Sequence, residues 1–522
     1  MTDTTTSVVI VGAGPVGLML AHQLGSAGVA TTVLELAAEL SDEPRAVVLD
    51  PESLRSLQGL DLLPALQDEI LFGVTGDYLN GAGEVLFEIN DAEPGPLGYP
   101  NLNGFNQPGL VRILAAELSR YDCVQLLFQH ELEAFSQSDE GVELRVRDAA
   151  GDEHRFSADY LVGCDGGRST VRAGLGVKMQ GESNPQPWLV IDTREKNYDG
   201  EASVRFYCDP ARPGMFIQTP HDNRRWEWML LPGEDREQFL QDDTINELIA
   251  PFVNLDEVEI YRRRVYDFHA IIADKFQQGR VFLAGDAAHM TPPFAGQGLN
   301  SGLRDAANLG WKLAACIQWS APTSLLESYE SERWQHAQEL INVAVQLGND
   351  IQPIDPDLAA VRDAGFAALR QQPEAMEEFQ DAIFKPMLDR YFAHGAAVDI
   401  AADALSGRMV FQPLLSARDG SSSLLDEVAG PGFSIIGYNC DPAELIPADV
   451  LAPWLAHDTS LVRIEGAGSG GDLHDDAGYF AEILADSDAS MLLIRPDRFC
   501  MASFNDDNAT DKLARAAAML GF

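Results

Sequence analysis

A glycine-rich turn near the N-terminus has the residue types and the spacing that bind the pyrophosphate of a dinucleotide. The run Gly12-Ala13-Gly14-Pro15-Val16-Gly17 follows the apolar segment 8–11 and precedes a helical pattern that extends to about residue 27. Gly12 allows a tight turn, Gly14 lets the backbone approach a phosphate at the helix N-terminus, and Gly17 allows close packing of helix on strand. We expect Gly12, Ala13, Gly14, Pro15 and Gly17 to bind a cofactor.

An acidic residue downstream of this turn supports the same interpretation. Glu35 ends a second β-branched strand, 23 positions after Gly12, where a carboxylate accepts hydrogen bonds from an adenosine ribose. A second G-x-G-x-x-G does not occur at comparable spacing. The sequence therefore predicts one dinucleotide in a full site and a second, if used, that binds transiently. This favours a bound flavin over a nicotinamide dehydrogenase.

Two later apolar segments each end in an acidic turn. Asp165 follows the segment 160–164, and Gly285-Asp286 follows the segment 281–284. The carboxyl ends of strands are where an open α/β sheet holds its ligands. We therefore expect Asp165, Gly285 and Asp286 to contribute to the same cofactor site.

The segment 292–300 suits the binding of a reduced, negatively charged flavin. Its glycines and Asn300 precede a helix predicted from about 301 to 316, so their N–H groups and the helix dipole would stabilise negative charge at the flavin N1–C2=O edge. Pro292 and Pro293 lack an N–H and have a fixed φ, which suits a rigid wall over the ring. The cofactor-binding residues expected here are Pro293, Gly296, Gly298, Leu299 and Asn300.

Together these runs resemble the three fingerprints of the single-component FAD-dependent aromatic hydroxylases, which share the fold of p-hydroxybenzoate hydroxylase. Further runs are similar to 3-(3-hydroxyphenyl)propionate hydroxylases, and they lie at 45–55, 105–108, 208–213, 224–234 and 305–313. The resemblance covers about two thirds of the chain, from residue 8 to about 347. It implies FAD and NAD(P)H as cofactors. It also implies hydroxylation of a phenolic ring by O2 through a flavin C4a-hydroperoxide, in the catabolism of aromatic compounds.

The resemblance also implies roles for single residues. Arg45 would lie against the flavin or the nicotinamide phosphate, Gln107 would contact the ribityl chain, and the backbone of Leu132 would face adenine. The turn at Asp165 is associated with both FAD and nicotinamide, and Asp286 with the ribityl chain.

The expected catalytic residues are Pro293, His289 and Arg45. Deprotonation of a phenol requires a base or a proton relay close to the pocket. The sequence leaves that base unassigned, and the candidates that stay open are His289, His221, His269 and Tyr207.

Between residues 183 and 268 the pattern changes to short alternating strands. This is typical of an antiparallel sheet inserted between Rossmann segments as the wall of a substrate pocket. Because side chains alternate along a strand, only one face of such a sheet meets a ligand. The substrate-contacting residues predicted here are Phe206, Phe216, Gln218 and Trp228.

The predicted fold class is α/β with several domains. A Rossmann-type FAD-binding domain is expected at 1–182 and 269–349, a substrate-binding domain at 183–268, a helical linker at 350–406 and a C-terminal domain at 407–522. The order of strands and helices in the last domain resembles thioredoxin. Its cysteines form no C-x-x-C, so thiol–disulfide exchange is excluded and a packing or dimerisation role remains.

Composition restricts the partners of the chain. The 522 residues include 36 Lys and Arg against 81 Asp and Glu, and the resulting net charge of −45 repels nucleic acids and anionic lipids. The expected partners are a phenolic small molecule and O2, and a homodimer is left open.

The location of the protein follows from its segments and cysteines. We expect a cytoplasmic protein, because no run approaches the ~20 apolar residues of a membrane span and the N-terminus lacks a signal pattern. The spacing of Cys and His predicts no metal site.

Two other interpretations stay open. Within the enzyme class, the substrate would be a larger polyketide, a drug-like aromatic compound or an N-heteroaromatic one. Outside the enzyme class, the chain would be a flavin-binding regulatory or scaffold protein. The three complete fingerprints and the inserted sheet argue against that second alternative.

Overall fold

The computed structural model describes residues 3–89, 92–183, 186–195, 203–384, 396–398, 404–468 and 471–522. The N-terminal third contains these strands and helices: β1 (Asp3–Val11), β2 (Thr31–Glu35), β3 (Val48–Leu49), β4 (Ile70–Leu71), β5 (Thr75–Asn80), β6 (Val85–Ile89), β7 (Asn103–Phe105), β8 (Val124–Phe128), β9 (Glu131–Gln137), β10 (Val142–Arg147), β11 (Glu153–Gly163), β12 (Met179–Ser183), α1 (Pro15–Ser26), α2 (Pro51–Gly59), α3 (Leu63–Leu66), α4 (Gln107–Glu117) and α5 (Thr170–Leu175).

The remaining described residues continue this order. The middle of the chain contains β13 (Trp188–Glu195), β14 (Ser203–Cys208), β15 (Gly214–Thr219), β16 (Asn223–Met229), β17 (Val258–Tyr266), β18 (His269–Ala273), β19 (Gln277–Gln278), β20 (Val281–Leu283), β21 (His289–Met290), α6 (Asp242–Ile249), α7 (Gln297–Gln318), α8 (Ser324–Ile351), α9 (Pro356–Leu369) and α10 (Pro373–Phe384). The C-terminal part contains β22 (Leu414–Ala417), β23 (Ser422–Leu424), β24 (Ser434–Tyr438), β25 (Ser460–Gly466), β26 (Leu473–Asp475), β27 (Met491–Ile494), β28 (Cys500–Phe504), α11 (Leu425–Ala429), α12 (Pro442–Leu445), α13 (Ala448–Ala456), α14 (Tyr479–Leu484) and α15 (Ala509–Leu520).

The first sheet has the doubly wound arrangement that the N-terminal motif predicts. Its path is β19-β20-β11-β1-β2-β8, and β20, β11, β1, β2 and β8 run parallel to one another. The apolar segment 8–11 of β1 is buried on both sides, as expected for a strand of a parallel sheet covered by helices. The carboxyl ends of β1, β11 and β20 therefore meet at one edge, where the glycine turn, Asp165 and Asp286 follow them.

A second, seven-stranded sheet packs over that edge, in the order β17-β13-β16-β15-β14-β5-β6, and we call it the mixed sheet because it contains both parallel and antiparallel pairs. The sequence predicts an antiparallel sheet built from residues 183–268 alone, and the structure corrects this. Strands β5 and β6 come from the N-terminal segment, and β14 pairs with β5 in parallel. Pairing across more than a hundred residues leaves no local trace in the sequence, because each strand only shows its own alternation.

Helices and a third sheet complete the chain. The helix expected from about 301 begins earlier, because α7 starts at Gln297 directly after Gly296 in a left-handed conformation. The predicted linker 350–406 contains α9 and α10 in its described part, whereas 385–395 and 399–403 lie outside the described residues. The C-terminal strands form a separate sheet in the order β23-β22-β26-β25-β24-β27-β28. Of the described helices, none is long and apolar enough to cross a membrane.

Candidate active site

A cavity of about 350 Å³ lies between the carboxyl edge of the parallel sheet and the seven-stranded sheet. Its first group of lining residues follows the strands of the parallel sheet or belongs to the loop before α7: Gly14, Pro15, Val16, Cys164, Gly166, Ala284, Asp286, Thr291, Pro293, Phe294, Ala295, Gly296, Gly298 and Leu299. Its second group comes from other segments: Arg45, Ala46, Val47, Val48, Tyr78, Phe87, Ile89, Leu102, Gln107, Val204, Phe206, Met215, Ile217, Glu227 and Leu347. A polar end and an apolar, aromatic end thus share one space.

The glycine turn leaves room where a phosphate would approach. Gly12 has φ +105°, and a Cβ there would lie 2.5 Å from the carbonyl oxygen of Cys164. A Cβ on Gly17 would lie 2.1 Å from the carbonyl oxygen of Gly12, so both positions exclude a side chain. A Cβ on Gly14, by contrast, would meet no atom within 4 Å, and Gly14 lines the cavity. The backbone is therefore open to a ligand at this point.

Glu35 lies beside that turn. Its Oε2 accepts a hydrogen bond from the N–H of Ala13 and its Oε1 accepts one from the N–H of Ala37, each at 2.8 Å. The carbonyl of Glu35 accepts from the N–H of His130, which brings the start of β9 alongside. Leu132 is buried in β9 and does not line the cavity. These residues sit together at the end of the site where the sequence predicts the adenosine.

Asp286 stands at the carboxyl end of β20 and lines the cavity. Its side chain is exposed toward that space, but the surrounding protein removes bulk water and raises the pKa of the carboxyl, while the charges of His289 and Arg45 lower it. Gly285, next to it, is buried and donates its N–H to Asp305 Oδ2 at 3.0 Å. The hydrogen bond from Gly285 to Asp305 thus fixes the backbone turn that holds Asp286 at the cavity wall.

The turn after β11 has one unused acceptor. Asp165 Oδ2 accepts hydrogen bonds from the N–H groups of Thr170 and Val171, at 2.6 and 3.1 Å, and so caps α5. Asp165 Oδ1 is buried and has no hydrogen-bond partner in the described part of the chain. Gly166, which follows, lines the cavity, and a Cβ there would meet open space.

Arg45 and Gln107 lie together in the structure. Gln107 Oε1 accepts from the N–H groups of Arg45 and Ala46 at 2.9 and 2.6 Å, which fixes the segment that lines the cavity. The side chain of Arg45 is 63% exposed. Its Nε lies 3.9 Å from Glu43 Oε2, and the exposed guanidinium is accessible to a ligand phosphate.

The loop before α7 and the first turn of that helix form a ledge of the cavity. Pro293 begins a single 3-10 turn that ends at Gly296, and Pro293, Gly296, Gly298 and Leu299 line the space. Asn300 is fully buried and braces the loop instead: its Nδ2 donates to the carbonyl of Gly296 at 2.7 Å. A role of the Asn300 side chain in contacting a cofactor is therefore not what the structure shows.

His289 is not placed as the sequence predicts for a catalytic group. The ring is 1% exposed, and its Nε2 lies 2.7 Å from Asp305 Oδ2. Burial would raise the pKa of Asp305, but the neighbouring His289 and Arg333 lower it. His289 does not line the cavity. The chain turns at 285–287, and the side chain of His289 is buried in the core after this turn. We correct its assignment to a structural one.

The face of the mixed sheet decides which aromatic side chains meet a ligand. Val204, Phe206, Met215 and Ile217 line the cavity, and the strand pairing places them on one face. Phe216 and Trp228 pack on the opposite face, in a separate apolar cluster.

Of the four predicted substrate residues, only Phe206 therefore lines the cavity. Gln218 shares the parity of Phe216 on β15 and does not line the cavity. The predictions for Phe216, Gln218 and Trp228 are wrong for this reason, since an alternating pattern does not show which face is covered.

The other candidate bases also lie elsewhere. His221 Nε2 pairs with Glu69 Oε2 at 2.9 Å, His269 Nδ1 pairs with Ser183 Oγ at 2.7 Å, and Tyr207 stacks on Trp228. None of the three lines the cavity. A carboxylate that sequence reasoning missed, Glu227, does line it. An acidic residue between two tryptophans of a predicted strand, Trp226-Glu227-Trp228, is the signal that could have found it.

The described residues fit a bound FAD. Gly14, Gly166 and the exposed Asp286 border the same cavity, and the unpartnered Oδ1 of Asp165 lies between two lining residues of the chain, Cys164 and Gly166. Phosphates prefer such a helix N-terminus, where N–H groups point outward and the dipole is positive. The groups that would hold the dinucleotide are thus present and unobstructed.

Comparison with known proteins agrees with this geometry. The family model described as an FAD binding domain matches residues 5–344, and the HcaD C-terminal domain model matches 407–519. The chain is 38% identical over 511 residues to a 3-(3-hydroxy-phenyl)propionate/3-hydroxycinnamic acid hydroxylase of Burkholderia cenocepacia, covering 95% of this chain and 93% of that protein. It is 35% identical to the protein of the same name from Shigella sonnei, covering 98% and 94%.

Solved structures with the same fold include two flavoproteins. One is aklavinone-11 hydroxylase in a ternary complex with FAD and aklavinone, with a TM-score of 0.80, 25% identity and full coverage of both chains. The other is the flavin-dependent monooxygenase PieE with FAD and substrate, with a TM-score of 0.81 and 22% identity, again over both whole chains. The sequence motifs, the cavity and these matches agree, and the chain belongs to the family of FAD-dependent aromatic hydroxylases.

Proposed function

We propose that this protein hydroxylates a phenolic ring with O2 and NAD(P)H, the usual reductant of this family. The observation that carries the proposal is a single cavity that joins the glycine turn and Asp286 to the aromatic face of the mixed sheet. Relatives are named for 3-(3-hydroxyphenyl)propionate and 3-hydroxycinnamic acid, which are phenols with a short acidic side chain. We propose the same substrate class here, and a role in the catabolism of aromatic compounds.

The residues of the chain divide into two groups in this proposal. FAD, when bound and reduced by NAD(P)H, supplies the electrons that activate O2. The residues proposed to hold it are Gly12, Ala13, Gly14, Pro15, Gly17, Glu35, Arg45, Gln107, Leu132, Asp165, Gly285, Asp286, Pro293, Gly296, Gly298 and Leu299. Apolar side chains such as Phe206 and Ile217 orient the aromatic ring and exclude water from the reacting atoms.

The C-terminal domain is proposed to have a thioredoxin-like fold without redox function. Its inner strands follow the order β25-β24-β27-β28, with β24 and β25 parallel and the other two pairs antiparallel. Helices α13, α14 and α15 alternate with these strands along the chain. Cys440 and Cys500 are the cysteines of this domain and are sixty residues apart in sequence, which supports a packing role.

We also propose a cytoplasmic location. The six cysteines of the chain all belong to the described part, and each is a free thiol there. Unpaired cysteines that are this numerous are typical of a reducing compartment.

Purified protein provides a direct test. Acid precipitation should release about one FAD per chain, and addition of 3-(3-hydroxyphenyl)propionate should accelerate oxidation of NADH or NADPH and give a product one oxygen atom heavier. Protein without added phenol is the matched control. Protein that takes up no FAD, or that binds FAD but forms no hydroxylated product from any phenol, would contradict the proposal.

A second candidate substrate class is a larger polyketide or another extended aromatic compound. It is favoured by the structural likeness to aklavinone-11 hydroxylase, which was solved with aklavinone. Including aklavinone and a hydroxylated N-heteroaromatic compound in the same assay separates the two classes. Product from the extended compounds alone would replace the small phenol in the proposal.

A further inference from the structure

Glu227 is an ionisable side chain in the aromatic wall of the cavity. It is 5% exposed and lies on β16, where its cross-strand neighbours are Met215 on β15 and Val190 on β13. Met215 lines the same cavity, as does Phe206, its partner on β14. Glu227 therefore faces the side of the sheet on which an aromatic ring would lie.

The carboxylate of Glu227 is incompletely paired. The nearest cation is Arg225, whose Nη1 lies 4.0 Å from Glu227 Oε1, beyond hydrogen-bond distance. Arg225 donates instead to Asp192 Oδ1 at 2.8 Å and to the carbonyl oxygens of Arg45, at 2.7 Å, and Pro44. In the described part of the chain, no group donates a hydrogen bond to the Glu227 carboxylate. A buried acceptor of this kind requires a partner, and a ligand hydroxyl can supply one.

We propose that Glu227 accepts the phenolic proton of the bound substrate. This inference rests on the proposed function and adds the residue that activates the ring. The phenol O–H bond breaks and an O–H bond forms on the carboxylate, so the substrate becomes a phenolate and Glu227 a neutral acid. The phenolate electron pair enters the ring and makes the ortho or para carbon nucleophilic toward oxygen derived from O2.

The remaining proton transfers complete the balance. When the hydroxylated carbon loses its hydrogen, that proton moves to the oxygen of the former phenol and aromaticity returns. The second oxygen atom of O2 leaves as water, which takes up the proton held by Glu227. NAD(P)H supplies the two electrons as a hydride, and this hydride and one proton from solvent provide the other hydrogen of the water and the hydrogen of the new hydroxyl. Glu227 is then a carboxylate again.

The electrostatic surroundings suit this role. Burial raises the pKa of Glu227 to about 7, with Asp192 on β13 acting in the same direction and with Arg225 and Arg262 opposing it. Arg45 and Asp286 are the charged groups on the other walls of the cavity. An acceptor with a pKa near the working pH is half in its basic form and still basic enough to bind a proton.

Two variants and one control test the role. Glu227→Gln keeps the size and removes the base, so we expect the hydroxylation rate at pH 8 to fall by about 10²- to 10⁴-fold. The parent rate should fall as the pH drops through about 7, and this limb should be absent in Glu227→Gln. Glu227→Asp should retain it at a lower rate. Glu234→Gln is the matched control, because Glu234 pairs with Arg212 in the same region and does not line the cavity.

A binding measurement provides a readout other than activity. The dissociation constant of 3-(3-hydroxyphenyl)propionate on the FAD-loaded protein should fall about tenfold as the pH rises through 7, because a charged acceptor makes the stronger hydrogen bond. The 3-methoxy analogue has no proton to donate and should show no such change, and neither should the hydroxyl probe on Glu227→Gln.

The outcomes separate the two proposals. A parent protein that forms no hydroxylated product contradicts the proposed function, while the binding titration still judges Glu227. A Glu227→Gln protein with the parent's rate and pH dependence overturns the role of Glu227 and leaves the proposed function intact. If Glu227→Gln fails to fold, loss of the acid limb in Glu227→Asp would overturn the role in its place.

Discussion

Two regions of the molecule bury a glutamate among arginines, and they do so with opposite results. On the cavity face of the mixed sheet, Glu227 lies 4.0 Å from its nearest cation, Arg225. At the contact between α8 and the C-terminal domain, Glu332 accepts hydrogen bonds from Arg495 at 3.0 Å and from Lys312 at 2.7 Å. Both carboxylates are nearly inaccessible. They differ in how completely their oxygens are paired.

That difference determines the ionisation of the two groups. Burial raises the pKa of both carboxyls, but Arg495 and Lys312 more than offset it at Glu332, whose pKa lies well below the ordinary value. At Glu227 the cations oppose burial without overcoming it, and the pKa is raised to about 7. Burial alone therefore does not mark a reactive group. A buried carboxylate stays reactive when its neighbours are occupied by other partners, as Arg225 is by Asp192.

The largest expected effect is on the stability of the region around Glu332, whose carboxylate is paired with Lys312 and Arg495. Glu332→Gln should destabilise the protein by about 3–5 kcal/mol, because it leaves the buried Lys312 without a counter-charge and leaves Arg495 with Asp497 alone. Urea unfolding of the FAD-loaded protein measures this. Glu327→Gln, on the exposed side of the same helix, should change the free energy of unfolding by less than ~0.5 kcal/mol. Equal stability of Glu332→Gln and the parent would remove the contrast between the regions.

Replacement of Glu227 should have the opposite effect on stability. Its folded-state pKa is raised from 4.5 to about 7. Between these two pH values the folded protein binds more protons than the unfolded chain, so it loses stability as the pH rises from 4.5 to 7. The difference corresponds to about 3 kcal/mol. Glu227→Gln should therefore be more stable than the parent by up to about 3 kcal/mol above pH 7, with no advantage near pH 4.5.

The pH dependence of the parent sharpens the same comparison. Because the pKa of Glu332 is lowered in the folded state, its contribution to stability is present above about pH 4.5 and is lost as the pH falls below that value. Acid unfolding of Glu332→Gln should consequently depend less on pH than that of the parent. A Glu227→Gln protein that is less stable than the parent at pH 8 would show that the carboxylate is fully paired after all.

At the polar end of the cavity, a smaller effect is expected. Asp286→Asn keeps the shape of the side chain and removes the charge of a proposed FAD ligand. Loss of one charge-assisted hydrogen bond costs about 1.5–3 kcal/mol, or roughly tenfold to more than a hundredfold in the dissociation constant of FAD. Flavin fluorescence measures it, with the exposed Asp159→Asn as control. An unchanged affinity would remove Asp286 from the site.

The smallest effect compares the two faces of the mixed sheet. Phe206 stacks on Tyr78, with ring centroids 4.3 Å apart, and lines the cavity. Phe206→Leu should raise the KM for the aromatic substrate by about 3- to 10-fold, since an aromatic pair contributes about 0.5–1.5 kcal/mol. Phe216→Leu, on the opposite face, should leave KM unchanged. A larger change in KM for Phe216→Leu would reverse the assignment of faces.

The sequence alone determined the parts of this protein that are local in the chain. The glycine turn, Glu35, the two acidic strand ends and the loop before α7 are short runs, and each carries its own backbone requirement. For that reason the sequence could predict the cofactor, the doubly wound sheet and seven of the residues that line the cavity, which are Gly14, Pro15, Asp286, Pro293, Gly296, Gly298 and Leu299. Arg45 and Gln107, whose hydrogen bond joins distant segments, were named only through the resemblance to the family.

Tertiary structure decided which face of a strand meets the cavity and which charged groups lie beside a buried side chain. Alternation along β14, β15 and β16 is equally visible in the sequence for both faces, so it could not show that Phe206 meets the cavity while Phe216 and Trp228 do not. The sequence analysis named His289 as catalytic and missed Glu227 for a related reason. The ionisation of a buried group depends on its distance to charges that are far away in the sequence. Asp305 pairs with Nε2 of His289, whereas Arg225 pairs with Asp192 rather than with Glu227. Only the packed fold sets those distances.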